Sequence, residues 1–393
     1  KIEHDVRVIV NKQERNGFYL DMKKTMNLLN LLQDEATELV TWSVKHFDPT
    51  VVELVTKTKY IPFNIGSRQQ IADRLSKIGW KPKQHTDKGN IIINEAVLDT
   101  IDMPEARKFS RYFLLQKRIA QIKSWIKACD DNDGRVHGRV MTLKTITGRM
   151  SHNSPNMAQI PAVRSPYGKE CRDCWTVEDT STHSIVGTDA SGLELRCLAH
   201  YMNDTTFTDI LLTGDIHTHN MKMAGLTDRD QAKTFIYAFM YGAGAAKIGK
   251  IVGEGAKEGQ RLIDNFLSSM TALKRVRDGV TKASAKGKIK GIDGRLLHIR
   301  SAHSALNTLL QGAGAVVCKI WLINIMTRVR TLGLDAKLVA SIHDEYQFEV
   351  LNTDVKKFGQ ITKDAMKDTE KELHMKCPLD SEWKVGKTWA ETH

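Results

Sequence analysis

Residues 337–350 read as two strands, Lys337–Ile342 and Tyr346–Val350, joined by a tight turn at His343-Asp344-Glu345. Far upstream, Ser184–Ala190 (Ser-Ile-Val-Gly-Thr-Asp-Ala) reads as a buried strand ending on an acid, Asp189. Each aspartate is thus expected beside buried strands, where an unpaired carboxylate is costly. A metal is one way to keep both ionised. Two carboxylates at the ends of adjacent strands can hold two Mg2+ ions about 4 Å apart. The plainer alternative is a pair of exposed or salt-bridged turn acids.

A second pattern lies between them. Arg229, Lys233, Tyr237 and Tyr241 recur at four-residue steps within an expected helix over 227–241. Each step turns about 400°, so the four drift only about 120° across one face. Two cations followed by two tyrosines suit a nucleotide, with phosphates at one end and base or sugar at the other. A solvated basic face with two core tyrosines is the competing explanation.

The opening third is expected to be helical. One helix is expected over 22–47, with Met26, Leu29, Leu32, Ala36, Leu39, Val40 and Val44 on its apolar face. A turn at Asn64–Ser67 precedes another, with Ile71, Leu75 and Ile78 inward and a stop at Gly79. A third runs from about Pro104 to Ala128. Asp130–Gly134 is expected as a turn and Val136–Lys144 as a strand. Gly242–Gly259, with six glycines, is loop-like at its start, and 304–332 is one helix or two.

Lys and Arg number 58 against 46 Asp and Glu, a net charge of +12 that favours a polyanionic partner such as nucleic acid. Hydrophobic residues at 41% exclude a wholly disordered chain. No run approaches 18 apolar residues, so no membrane span is expected, and Lys1–Val10 offers no signal-peptide core. Opening on Lys rather than Met points to a processed, truncated or engineered start. Six irregularly spaced cysteines suit a reducing compartment. Asp131, Asp133 and Gly134 fail as a calcium loop, whose twelfth position would be Val140. Ser381–Thr388 lacks the first glycine of a phosphate loop, and Cys171/Cys174 and His217/His219 lack further ligands for a metal.

Taken together these segments resemble family A DNA polymerases. Gly187–His200 resembles the first catalytic motif, Arg229–Gly242 the nucleotide-binding helix of the fingers, and His343–Glu345 the last catalytic motif. Thr147-Gly-Arg149, Asn156–Pro161, Gly214–Thr218 and Leu306–Gln311 fall in the family's order. Arg164–Gly168 and Gln13–Phe18 resemble the replicative branch found in T-odd bacteriophages, as a polymerase domain only.

The resemblance implies an α+β right-hand fold. The thumb is expected over residues 1–130, the palm over 131–200 and 304–393 with an antiparallel sheet, and the fingers over 201–303. It implies dNTP addition to a primer 3′-hydroxyl with two Mg2+, or Mn2+ in their place. Asp189, Asp344 and the Ala190 carbonyl would be metal ligands, and Glu345 a neighbour of the site. His217, Arg229 and Lys233 would grip the triphosphate, Lys233 also stabilising or protonating the leaving group. Tyr237 would pack on sugar and base. Glu194 would block a ribose 2′-hydroxyl. A Tyr at 237 implies tolerance of dideoxynucleotides. Tyr241 would stack at the template, and Arg149, Gln159, Asn307 and Gln311 would touch primer-template through minor-groove acceptors shared by correct pairs. DNA binding should weaken steeply with salt.

Two departures accompany the matches. The phage branch carries a 3′–5′ exonuclease ahead of the thumb, and no such acid set precedes it here, so proofreading is expected to be absent from this chain or to reside on another subunit. The branch also carries a long thioredoxin-binding insertion, where 46–64 is short, so thioredoxin binding is not expected and processivity should be low. A monomer in host bacterial cytoplasm, without membrane attachment, follows. A single-subunit RNA polymerase is the runner-up, disfavoured by Glu194. A non-catalytic DNA-binding module is third, disfavoured by intact Asp189, Asp344, Arg229 and Lys233.

Overall fold

The computed structural model describes residues 1–53 and 56–392. The chain divides into two compact units. One comprises Tyr19–Val136 and Ile160–Trp175; the other holds Lys1–Phe18, His137–Gln159 and the chain from Thr176 onward.

In the first unit, helices Met22–His46 and Pro104–Ala128 pack on each other. Pro104 opens the second, where the missing N–H costs nothing. Helix Arg68–Lys77 starts at the Ser67 cap and buries Ile71 and Leu75. Ile78 falls at the C-cap and is exposed rather than inward. Rings of Phe47, Phe63 and Phe109 cluster with centroids 4.6 and 5.8 Å apart to form the centre. The buried stripe of Met22–His46 is Thr25, Leu28, Leu29, Leu32, Ala36 and Ser43, whereas Met26, Val40 and Val44 are exposed. Apolar character alone misplaced that face. Thr25 and Ser43 can be buried because their hydroxyls donate to Asp21 and Val40 carbonyls of the same segment, at 2.7 and 2.8 Å. Two antiparallel strands, Thr50–Glu53 and Thr58–Ile61, lie within the short 46–64 connection. Arg111 grips Glu35 bidentately at 2.6 and 3.0 Å, tying the two long helices together.

The second unit is built on a four-stranded antiparallel sheet. Its order is Ala336–Ile342, Glu345–Leu351, His183–Ala190, Ser381–Gly386. Tyr346, Phe348, Val350 and Val186 enter the core that helices Ala305–Thr331 and Val355–Glu372 share. Tyr346 donates to the Cys318 carbonyl at 2.8 Å, and Trp321 to the Thr362 carbonyl at 2.8 Å. Gly187 sits where a Cβ would lie 2.6 Å from Gln347 Nε2 and 2.8 Å from Thr392, so the Trp389–Thr392 turn can close against the sheet.

Helix Ala305–Thr331 is continuous. Contrary to the expectation from apolar runs, Ala302–Thr331 is long and apolar enough to cross a membrane. Its most apolar window is 78% buried inside the fold, as a core helix would be. The expected strand over 136–144 is broken into Arg135–Val136 and Arg139–Met141. The glycines of 242–259 are only partly loop. Gly249 and Gly259 lie in helices Ala245–Ile251 and Ala256–Ser269, and a Cβ on Gly259 would fall 1.9 Å from the Ala245 carbonyl oxygen. They let two backbones touch.

Candidate active site

The acids meet through sheet register. His183–Ala190 pairs with Glu345–Leu351 so that Asp189 lies opposite Glu345. The Ala190 N–H donates to the Asp344 carbonyl at 3.1 Å. Ile342 pairs with Glu345, leaving a two-residue hairpin loop, and His343 supplies its positive φ of 56°. Asp344 therefore sits at the hairpin tip beside the end of the Asp189 strand. Asp189 is exposed, Ala190 is buried and Asp344 is half-buried. Burial pushes the Asp344 carboxyl above its usual range; Arg149 and His343 pull it back in part, and Glu194 opposes them. Hard oxygen donors from neighbouring strand ends are the ligand set Mg2+ takes, and a divalent cation would offset the burial of Asp344.

Glu345 is itself buried. Its Oε1 accepts from Trp389 Nε1 and Gln347 Nε2, both at 2.6 Å.

Helix Arg229–Met240 begins at Asp228, whose carboxylate accepts the Gln231 N–H at 2.6 Å. Its buried face is Ala232, Phe235, Ile236, Phe239 and Met240. The cation–tyrosine stripe lies on the other side: Arg229 and Lys233 are exposed, Tyr237 is half-buried and Tyr241, at the C-cap, is exposed. The His217 ring lies 6.4 Å from that of Tyr237. Burial lowers the His217 pKa, with Lys233 and Arg229 acting in the same direction and Asp215 and Asp230 opposing them. Burial, then Glu194 and Asp344, raise the Tyr237 phenol.

Glu194, in the first turn of helix Leu193–Met202, is held from two sides. Arg149 donates to Oε1 at 3.0 Å and Tyr241 to Oε2 at 2.6 Å. Burial and that hydrogen bond hold the Tyr241 phenol well above its usual value. The structure thus gathers Asp344, Glu194, Arg149, Tyr237 and Tyr241 into one electrostatic group. Gln159 is exposed at the end of a short 3-10 turn. Asn307 and Gln311 lie one turn apart on helix Ala305–Thr331, both half-buried, and Asn307 Oδ1 is buried without a hydrogen-bond partner.

One residue escaped the sequence reading. Arg229 is gripped by Asp215, Nε to Oδ2 at 2.7 Å and Nη2 to Oδ1 at 3.1 Å. The Gly214–Thr218 segment pointed to His217 alone; an Asp at the start of a helical segment, a residue type that caps helices, was the available signal.

Residues 34–391 match the family described as DNA polymerase family A. The chain is 39% identical over 379 residues to the DNA-directed DNA polymerase of Enterobacteria phage T3, covering 86% of this chain and 54% of that protein. It is 38% identical to that of Escherichia phage T7 over the same shares. It therefore spans about half the length of these relatives. Among solved structures, the POL domain of Pol1 from M. smegmatis, in complex with DNA primer-template and dNTP, superposes with a TM-score of 0.86 over 99% of this chain and 70% of that one, at 19% identity. That likeness shows the fold. With both aspartates and the cation–tyrosine helix inside the matched residues, the chain belongs to DNA polymerase family A.

Proposed function

We propose that this chain is a template-directed DNA polymerase that adds dNTPs to a primer 3′-hydroxyl, in the replication of a bacteriophage within host cytoplasm. The observation that supports this most is the placement of Asp189 and Asp344 on adjoining strand ends. Together with the Ala190 carbonyl they would hold two divalent ions, Mg2+ by their oxygen donor set. Bound there, the ions lower the hydroxyl pKa and neutralise charge on the triphosphate. The protein's own residues do the rest. Arg229, Lys233 and His217 bind and orient the phosphates, and Lys233 stabilises or protonates the departing pyrophosphate. Tyr237 packs on the sugar and base. Tyr241 lies at the template position, with Arg149, Gln159, Asn307 and Gln311 along primer-template.

The hand maps onto the chain as thumb over about 1–130 apart from its first helix, palm over 131–200 and 304–393, and fingers over 201–303. Helix Ile2–Asn16 packs on Ala305–Thr331, which favours counting it with the palm. These 393 residues would extend primers as a monomer, without removing a 3′ mismatch and without thioredoxin.

Primer extension with dNTPs and, separately, rNTPs tests the reading. Wild type should use dNTPs. Glu194→Ala should raise the use of rNTPs relative to dNTPs by about 100-fold, the scale of a removed steric and polar block. Wild-type preference for rNTPs would overturn it.

A further inference from the structure

We propose that Asp215 is a positioning residue, which fixes Arg229 and His217 as a preformed pair for the triphosphate. The inference rests on the polymerase reading and adds a residue to it.

Asp215 is the N-cap of helix Ile216–Ala224. Its Oδ1 accepts the backbone N–H of His217 at 3.0 Å and of Thr218 at 3.3 Å. Its Oδ2 accepts the Thr218 hydroxyl at 2.7 Å. The same two oxygens take Arg229 Nε and Nη2 at 2.7 and 3.1 Å. Arg229 is the first residue of helix Arg229–Met240, and the two helices pack against each other. One carboxylate therefore joins the start of the helix that carries His217 to the start of the helix that carries Arg229.

The geometry orients Arg229 without consuming it. A guanidinium has five N–H donors in one plane. Asp215 takes two along one edge, and three remain for phosphate oxygens. An isolated exposed ion pair does little, because both side chains must be ordered to form it. Here Asp215 is already ordered by three bonds to its own helix, so the arginine plane is set before a ligand arrives. An Arg229 released from Asp215 would have to be ordered by the nucleotide, and the loss would appear in binding.

Asp215→Asn is the discriminating variant. Asn caps a helix as well as Asp does, so the fold of Ile216–Ala224 is kept while the charged pair is lost. In primer extension it should raise KM for dNTP about ten-fold and change kcat by less than about two-fold, within the coupling range of neighbouring charged groups. In an Arg229→Ala background the same substitution should lower kcat/KM by less than about two-fold further. Asp215→Ser, which also caps, should reproduce Asp215→Asn and carries the measurement should that variant not fold. An unchanged KM, or independent effects of the two sites, would overturn the inference and leave the polymerase reading standing. A lowered KM would also overturn it, showing that Asp215 competes with phosphate. Failure of the wild type to extend any primer would overturn both.

Discussion

His152 is 7% exposed, and burial lowers its pKa to about 4, with the Ser341 backbone opposing in part. In the unfolded chain the ring titrates near 6.5. The folded value is the lower one, so the unfolded state binds the extra proton. Its contribution is complete above pH 6.5 and is lost as pH falls toward 4. Between pH 7 and pH 5 the cost is about 2 kcal/mol. Urea unfolding at the two pH values should show that loss, and His152→Gln should abolish that share of it; an equal pH dependence in both proteins would contradict the assignment. At this scale the candidate site was readable where its pattern is local. Asp189 ends an apolar run, Asp344 sits in a turn, and the stripe on 229–241 has one period. The Asp215–Arg229 pair was not readable. It joins residues 14 positions apart on two helices, and only their packing brings them together.

Helix bounds followed from punctuation: Pro104–Ala128 begins at its proline, and Arg68–Lys77 at its serine cap. Strand bounds did not, because 135–141 is divided between short pairings rather than running as one ladder. Docking between elements was also hidden. Lys319, in the middle of helix Ala305–Thr331, is 1% exposed. Its ammonium donates to both oxygens of Glu3, at 3.0 and 2.8 Å, and to the Thr142 carbonyl at 2.8 Å. Glu3 lies 316 residues away in sequence, on helix Ile2–Asn16, and also binds Arg295 at 2.8 Å. Glu3→Gln would leave the buried ammonium without its carboxylate. We expect a loss of about 3 kcal/mol in urea unfolding, the usual result of breaking a buried pair from one side. An unchanged midpoint would show that the contact adds nothing.

At the level of the whole molecule, the chain forms two compact units. One is a helical body around Phe47, Phe63 and Phe109. The other gathers a sheet, its core helices and helix Arg229–Met240 around a large apolar core, with a small second cluster at Val6, Val10 and Val140. The passage from the helix ending at Ala128 to short strands from Arg135 was legible. The palm expected from the resemblance already joined 131–200 to the late chain; that Ile160–Trp175 lies in the helical unit and Lys1–Phe18 in the other was not legible, since both depend on contacts that sequence period does not encode. The net charge of +12 accords with a nucleic-acid partner, while the proposed chemistry rests on the paired acids at the ends of the sheet strands. The most direct test is primer extension on a DNA template with Mg2+ and dNTPs, comparing wild type with Asp344→Asn and measuring duplex binding alongside. The paired-aspartate account predicts extension by wild type and a rate at least about 100-fold lower for Asp344→Asn, the scale of losing one electrostatic stabiliser, with duplex binding retained. Equal extension by both proteins, or none by wild type, would contradict it.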